Sequence, residues 1–298
     1  MASSGVEHTT RHLRLGENQP SLDRSALKSR VIVALDVTSR QQAAEVVEAL
    51  GQTCDFYKVG PVLFYREGPA ILEWLRSQKK CIFLDLKAHD IPSVVESATH
   101  AAAEMGVTFF TAHVADGSAA AAVKASRDAE SVVGHKVSVL GVTVLTSTRS
   151  SDVQGNSTES SFETLLSSRV EQAVSSGCDG IVAAASDIPL MADLLPQSML
   201  KVCPGIRPRT PRLRTEDDQA RTATPSEAAA MGADFIVVGR SVLEASDPLQ
   251  AFLNIRDEFA SLLGTGRTLR SSRTPFDKPT PERQPSELPR PDFRHLKE

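Results

Sequence analysis

The sequence has few cysteines and no long apolar run. Its four cysteines, Cys54, Cys81, Cys178 and Cys203, are far apart and form no C-x-x-C pair. We therefore expect buried thiols and neither a disulfide framework nor a zinc site. No stretch approaches the roughly 18 to 20 apolar residues of a membrane span, and the N-terminus lacks the apolar core of a secretory signal. These absences predict a cytoplasmic protein that does not bind membranes.

The chain also lacks an excess of charge of either sign. Its 33 Lys and Arg residues against 37 Asp and Glu give a net charge of -4 over 298 residues. Such a balance offers no electrostatic footprint for nucleic acid, so an anionic ligand must be bound by local groups. With 41% hydrophobic residues, the chain is long enough to bury a sizeable core.

The two ends of the chain differ in composition from its middle. Residues 1–28 are polar and aperiodic, and residues 265–298 are rich in proline and charge. Both patterns are typical of poorly ordered extensions. The sequence therefore predicts one folded domain over residues 29–264.

Short apolar runs rich in β-branched residues alternate with helix-patterned stretches in this domain, which is typical of βα units around a parallel sheet. The predicted strands are 31–35, 56–59, 82–86, 108–113, 137–143, 180–183, 201–203 and 235–238. The predicted helices include 41–50, 94–105, 119–129, 162–175, 225–231 and 249–263. Eight such units favour an α/β fold of the closed (β/α)₈ TIM-barrel type. A doubly wound open sheet is the alternative.

Polar residues follow the predicted strands at their C-terminal ends, where barrel enzymes carry their catalytic groups. In strand order they are Asp36, Lys58, Asp85 with Lys87, His113, Thr146 with Ser147, Arg207, and Gly239 with Arg240. This placement predicts one polar site at the barrel mouth.

Asp85 and Lys87 are two residues apart on an extended segment, so their side chains are expected on the same face. A structural ion pair would give the same pattern, because buried charges are tolerated when they are paired. The convergence of Asp36 and Lys58 on the same mouth favours a catalytic array. A lysine between carboxylates stays protonated, which makes Lys87 the candidate general acid. Asp90 lies past the strand end, in a position to reach a neighbouring subunit.

Two loops near the end of the domain each contain a glycine and an arginine. Gly239 and Arg240 follow the last strand, and Gly205 and Arg207 follow the one before it. Backbone N–H groups next to glycine, together with an Arg guanidinium, favour a phosphate site, although a tight turn with a solvated Arg would look similar. The polar stretch 209–224 is predicted as a mobile lid, with a plain exposed loop as the alternative.

Several motifs over residues 30–258 resemble those of the orotidine 5′-phosphate decarboxylase family. They are A-L-D at 34–36, Y-K-V-G at 57–60, D-L-K-A-H-D-I-P at 85–92, V-T-V-L-T-S at 142–147, P-G-I-R-P at 204–208, D-Q at 218–219, T-P at 224–225 and V-G-R-S at 238–241. The D-x-K-x-x-D core alone is shared with sugar-phosphate decarboxylases and synthases of similar barrels, whereas the full set is specific.

The resemblance implies a homodimeric enzyme that decarboxylates orotidine 5′-phosphate to uridine 5′-phosphate without a metal or organic cofactor. By this resemblance Lys58, Asp85, Lys87 and Asp90 form a charge tetrad, to which the other subunit contributes Asp90. Lys87 would protonate C6 of the pyrimidine. The implied substrate contacts are Asp36 and Lys58 with ribose hydroxyls, Thr146 and Ser147 near the pyrimidine, and Arg207, Gln219, Gly239 and Arg240 around the phosphate.

Two departures from the family pattern fall near these motifs. Val94 stands where the family usually has a threonine that binds ribose, and Thr111 stands where the family usually has asparagine. Two other functions remain open at this point. One is a metal-dependent sugar-phosphate decarboxylase or synthase on the same barrel, and the other is a catalytically silent sensor of a phosphorylated ligand.

Overall fold

A computed structural model describes residues 29–148, 162–208 and 221–263. Eight parallel strands form a closed barrel in which each strand pairs with the next and β8 returns to β1. The strands are β1 (Val31–Ala34), β2 (Phe56–Val59), β3 (Cys81–Ala88), β4 (Phe109–His113), β5 (Ser138–Val142), β6 (Gly180–Val182), β7 (Leu200–Cys203) and β8 (Phe235–Val238). The predicted barrel is confirmed, and pairing of Val31 with Ile236 excludes the open sheet.

Helices follow the strands around the outside of the barrel. They are α1 (Arg40–Leu50), α2 (Pro61–Glu67), α3 (Ala70–Ser77), α4 (Pro92–Glu104), α5 (Ser118–Val133), α6 (Phe162–Ser175), α7 (Pro225–Ala230), α8 (Arg240–Leu243) and α9 (Pro248–Ala260), with a 3₁₀ helix over Ala185–Met191. The six predicted helices are confirmed to within a few residues. The two short helices after β2, α2 and α3, are not among them.

Phenylalanines fill the lower part of the barrel interior. The ring centroids of Phe56 and Phe109 are 5.0 Å apart, and Phe235 lies edge-on to Phe109 at 5.4 Å. Offset and edge-on aromatic pairs pack favourably in a dry core. Gly180 makes room for this packing, because a Cβ at this position would lie 2.6 Å from Leu200 Cβ. The alternate residues of each strand point outward and pack against the helices.

A side chain just before one strand accepts a hydrogen bond from a backbone amide near the start of the preceding strand. At this lower face of the barrel, the acceptors are Thr108 Oγ1 for the Ile82 amide, Asp179 Oδ2 for the Val139 amide and Asp234 Oδ2 for the Lys201 amide, at 3.2, 2.9 and 2.9 Å. These bonds satisfy amides near the lower ends of the strands. The lower face therefore has a structural role, as is usual in barrels of this type.

The four cysteines are free thiols, as the sequence predicts, and Cys54, Cys178 and Cys203 are buried. Among the helices of the described ranges, none has the length and apolar character needed to cross a bilayer. The predicted terminal extensions, 1–28 and 265–298, lie outside the described residues and remain predictions.

Candidate active site

The interior face of the barrel changes from aromatic to polar toward the C-terminal strand ends. The change falls two residues after a phenylalanine on three neighbouring strands, with Lys58 after Phe56, Asp85 after Phe83 and Thr111 after Phe109. Because the side chains of a strand alternate between its two faces, residues two apart share the interior face. The aromatic layer therefore supports a polar layer directly above it.

Four charged side chains of alternating sign form a continuous array in this polar layer. Lys58 Nζ lies 3.1 Å from Asp36 Oδ1 and 3.6 Å from Asp85 Oδ2, and Lys87 Nζ lies 2.9 Å from Asp85 Oδ1. The side chains of Lys58 and Asp85 are 12% and 11% exposed, against 60% for Asp36 and 34% for Lys87. The array thus has a buried centre and two ends that solvent or a ligand can reach.

Asp85 lies at the centre of the array, where Lys58, Lys87 and Thr111 all contact its carboxylate. Burial raises the pKa of its carboxyl, but the charges of Lys58 and Lys87 and hydrogen bonds from Lys87 and Thr111 outweigh this effect. The pKa of Asp85 therefore lies below its usual value. Asp85 is ionised at neutral pH and keeps a negative charge beside Lys87.

Lys87 reaches Asp85 through an irregularity of β3. Between the pairs Leu84–Phe110 and Ala88–Ala112, three residues of β3 oppose one residue of β4. Lys87 has a φ of 52°, in the left-handed region that a side chain other than glycine rarely occupies. The sequence predicted the contact from regular strand alternation. The contact is present, but a bulge produces it.

Two glycines of the family motifs adjoin the charged array. A Cβ at Gly60 would lie 3.3 Å from Lys58 Nζ, which is tighter than most Cβ contacts. A Cβ at Gly239 would lie 3.5 Å from Asp36 Oδ2, so the loop after β8 lies beside the outer end of the array. The predicted phosphate loop and the charged array therefore share the barrel mouth.

Asp90 lies away from the array within one protomer. Its side chain is exposed, and its Oδ1 accepts a hydrogen bond from the Ile91 amide at 2.7 Å. Its backbone carbonyl accepts from Ser118 Oγ at 3.2 Å, which ties the loop to the start of α5. Among the contacts of the described residues, no bond joins the Asp90 carboxylate to the other three members of the predicted tetrad.

The loop after β5 presents Thr146 and Ser147 at the barrel mouth. Thr146 is half-buried and Ser147 is exposed. The Thr148 amide donates to the Leu145 carbonyl at 2.9 Å, which closes a turn around the two residues. Their position at a C-terminal strand end agrees with the sequence prediction.

The predicted phosphate residues Arg207 and Arg240 follow β7 and β8, which are paired neighbours. The Arg207 amide donates to the Ala223 carbonyl at 2.9 Å, so a short bridge joins the β7 loop to the residues before α7. Gly205 makes this turn with a φ of 80°. Gln219 and residues 209–220 of the predicted lid lie outside the described residues.

An ion pair that the sequence analysis did not identify lies beside the β5 loop. Arg221 Nη1 is 2.6 Å from Asp187 Oδ2, and Arg221 Nη2 donates to the Leu145 carbonyl at 2.8 Å. The guanidinium also stacks on the Phe162 ring, with its carbon 4.7 Å from the centroid. Arg221 thus joins the β5 loop to α6 and to the 3₁₀ helix. The only sequence signal was an arginine close to the D-Q motif.

A histidine pair lies at the end of β4. The rings of His89 and His113 are 5.0 Å apart, and His89 Nε2 is 3.0 Å from Asp116 Oδ2. Burial and repulsion from His89, Arg169 and Lys87 lower the pKa of His113, which is therefore neutral at pH 7.

Over the three described ranges, no group of three His, Cys, Asp or Glu side chains is arranged to hold a metal ion.

A closed βα barrel with a charged array at its C-terminal strand ends defines a barrel enzyme. The chain belongs to the orotidine 5′-phosphate decarboxylase / HUMPS family, whose sequence pattern matches residues 29–255. Orotidine 5′-phosphate decarboxylase of Methylococcus capsulatus is 38% identical over 237 residues, which cover 78% of this chain and 94% of that protein. The enzyme of the same name from Halalkalibacterium halodurans is 39% identical over 241 residues, which cover 77% of this chain and 97% of that protein.

A solved structure shows the same relationship. The crystal structure of orotidine 5′-phosphate decarboxylase from Lactobacillus acidophilus superposes with a TM-score of 0.64 at 33% sequence identity. The superposition covers 78% of this chain and 99% of that one. The family suggested by the sequence motifs is therefore confirmed.

Proposed function

We propose that this protein is an orotidine 5′-phosphate decarboxylase, which converts orotidine 5′-phosphate to uridine 5′-phosphate and carbon dioxide in pyrimidine biosynthesis. The observation that carries this assignment is the array Asp36–Lys58–Asp85–Lys87 at the mouth of a family-matched barrel. The array supplies a protonated amine next to a carboxylate, which is what decarboxylation at an unactivated ring carbon requires.

Lys87 is the proton donor in this proposal. Loss of carbon dioxide breaks the bond between C6 and the carboxyl carbon and leaves the electron pair on C6. Little delocalisation is available to that carbanion, so a cation must stabilise the charge as it forms and a proton must follow. The Lys87 ammonium transfers one proton to C6, and the neutral amine then regains a proton from solvent. The Asp85 carboxylate, 2.9 Å from Lys87 Nζ, holds the ammonium in place at the barrel mouth.

Repulsion between the substrate carboxylate and Asp85 is a small part of the catalysis. Two negative charges about 4 Å apart repel by about 4 kcal/mol at an effective dielectric constant of about 20, and Lys87 offsets part of this energy. Preorganised stabilisation of the carbanion by Lys87 is the larger effect. Contacts with the distant phosphate supply binding energy that orders the site.

The other predicted residues bind the substrate around this centre. Asp36, at the exposed end of the array, and Lys58 bind ribose hydroxyls. Thr146 and Ser147 lie near the pyrimidine, and the phosphate is bound by Arg207, Gln219, Gly239 and Arg240. The adjacency of β7 and β8 and the position of Gly239 beside Asp36 support a phosphate next to the ribose end of the array.

We further propose a homodimer in which each subunit contributes Asp90 to the other's site. The Asp90 carboxylate is exposed, and the apolar side chains of Ile91 and Val94 beside it are 64% and 46% exposed. Apolar residues exposed around a single acidic residue favour burial against another protein surface. A second copy would bury this patch and complete the tetrad with Lys58, Asp85 and Lys87.

Turnover in the presence of a chelator tests the assignment. Purified protein is expected to remove the ultraviolet absorbance of orotidine 5′-phosphate at the same rate with and without EDTA, and Lys87→Ala is expected to lower that rate by several orders of magnitude. Loss of activity with EDTA would favour the metal-dependent sugar-phosphate enzyme. Absence of turnover in a folded protein that binds uridine 5′-phosphate would favour the sensor.

A further inference from the structure

Thr111 lies at the point where β4 faces the irregular part of β3. It is the one β4 residue between the pairs Leu84–Phe110 and Ala88–Ala112, and it is fully buried. The register shift places three β3 residues opposite it, among them Asp85 and Lys87. At a bulge of this kind the regular ladder of backbone hydrogen bonds is interrupted.

The Thr111 hydroxyl binds both functional residues of this bulge. It accepts a hydrogen bond from the Lys87 amide at 2.9 Å and donates one to Asp85 Oδ1 at 3.1 Å. The same Asp85 oxygen accepts from Lys87 Nζ at 2.9 Å. One hydroxyl therefore fixes the backbone of the lysine and the carboxylate that its ammonium contacts.

The backbone of Lys87 needs such a support. Its φ of 52° is unfavourable for a residue with a Cβ, and such conformations persist only where surrounding contacts determine them. A β-branched side chain restricts χ1, so a buried threonine holds its hydroxyl in a narrow range of directions. Without the hydroxyl, the Lys87 amide and one Asp85 oxygen each lose a partner in a buried setting.

We propose that Thr111 is a positioning residue for decarboxylation, because its hydroxyl fixes the Lys87 backbone and the Asp85 carboxylate in the geometry that proton transfer needs. The inference rests on the proposed function and extends it to a residue at which this chain departs from the family's usual asparagine. Thr111 acts through Lys87 and Asp85, so its loss lowers kcat more than substrate affinity.

Three substitutions of Thr111 test the role of its hydroxyl. Thr111→Val keeps the shape of the side chain and removes both hydrogen bonds, and it is expected to lower kcat by roughly 10- to 100-fold. Affinity for uridine 5′-phosphate is expected to stay within about threefold of wild type. Thr111→Ser and Thr111→Ala differ mainly in the hydroxyl, and Ser is expected to retain most of the kcat that Ala loses.

Thr108→Val is the matched control. Thr108 is also buried, and its hydroxyl also accepts a β3 amide, that of Ile82, at 3.2 Å, but at the opposite end of the strand pair. This variant is expected to lose thermal stability and to keep wild-type kcat. Melting curves of all variants separate unfolding from a catalytic defect.

Two results would overturn the proposal. The first is a kcat for Thr111→Val within about twofold of that of Thr108→Val. The second is equal loss in the Ser and Ala variants, which would assign the effect to the threonine methyl group. If the Val variant does not fold, the Ser and Ala pair decides the question. Inactive wild-type protein would instead contradict the proposed function.

Discussion

The backbone conformation of Lys87 is unfavourable for stability, although the proposed reaction needs a lysine at this position. A left-handed φ costs about 1 to 2 kcal/mol for a residue with a Cβ, and glycine avoids most of this cost. The protein nevertheless has lysine at this position, with its ammonium on Asp85. In the proposed reaction the ammonium at this position is the proton donor, which accounts for a lysine here despite the strain.

The left-handed φ of Lys87 predicts an unusual order of stability among variants at this position. Lys87→Gly is expected to be more stable than Lys87→Ala by about 1 kcal/mol, although glycine normally destabilises a folded chain. Urea unfolding followed by circular dichroism measures the difference.

Lys124, an exposed residue of α5 with ordinary helical geometry, provides the control. There Lys124→Gly is expected to be less stable than Lys124→Ala by about 1 kcal/mol. The same order at both positions would show that residue 87 carries no backbone strain.

Arg221 connects three segments around the β5 loop. Its bonds to Asp187 and to the Leu145 carbonyl, and its stacking on Phe162, bring the 3₁₀ helix and the start of α6 against the turn that holds Thr146 and Ser147. The planar guanidinium makes these contacts simultaneously, which an ammonium group cannot do.

Arg221→Lys is therefore expected to weaken binding of the pyrimidine selectively. The variant keeps a charge near Asp187 but loses the Nη2 hydrogen bond to the Leu145 carbonyl, so affinity for uridine 5′-phosphate should fall by about tenfold. Affinity for ribose 5-phosphate, which has no base, should stay within about twofold. Isothermal titration calorimetry with the two ligands measures both effects.

Arg256→Lys serves as the comparison, because Arg256 forms an ion pair with Asp257 on the exposed side of α9. It is expected to change neither affinity. An equal loss for both ligands in Arg221→Lys would indicate that Arg221 stabilises the whole site and does not act through the β5 loop.

The sequence predicts those features of the site that follow from local periodicity. The eight strands and the convergence of Asp36, Lys58 and Asp85 follow from alternation along strands whose C-terminal ends meet. The bulge at Lys87 and the Arg221–Asp187 pair do not, because both depend on contacts between segments distant in the chain. Thr111 is visible in the sequence as a departure from the family motif, but its two hydrogen bonds are not.

The proposed dimer predicts that inactive variants complement each other. Asp90→Ala and Lys87→Ala homodimers are each expected to be nearly inactive. In a mixed dimer, the site with wild-type Lys87 receives wild-type Asp90 from its partner. After random exchange in equal amounts, about a quarter of wild-type activity is expected, because half of the dimers are mixed and each has one intact site.

Mixing Asp36→Ala with Lys87→Ala provides the control, since both residues lie in the same protomer's array. Every mixed dimer then keeps a defect in each site, and activity should stay at the sum of the parents. Recovery in this control, or none with Asp90→Ala, would contradict a shared Asp90. Native mass spectrometry, with one variant isotopically labelled, confirms that subunits have exchanged.

Closure of the barrel links the first and last strands of the described chain, since Val31 pairs with Ile236. During synthesis on the ribosome, β1 can pair with β2, but its other edge stays unpaired until β8 has emerged. A chain ending after β7 would expose the edges of both β1 and β7, and unpaired parallel edges are templates for association with other chains. Premature termination before β8 would thus yield a fragment that is prone to aggregate.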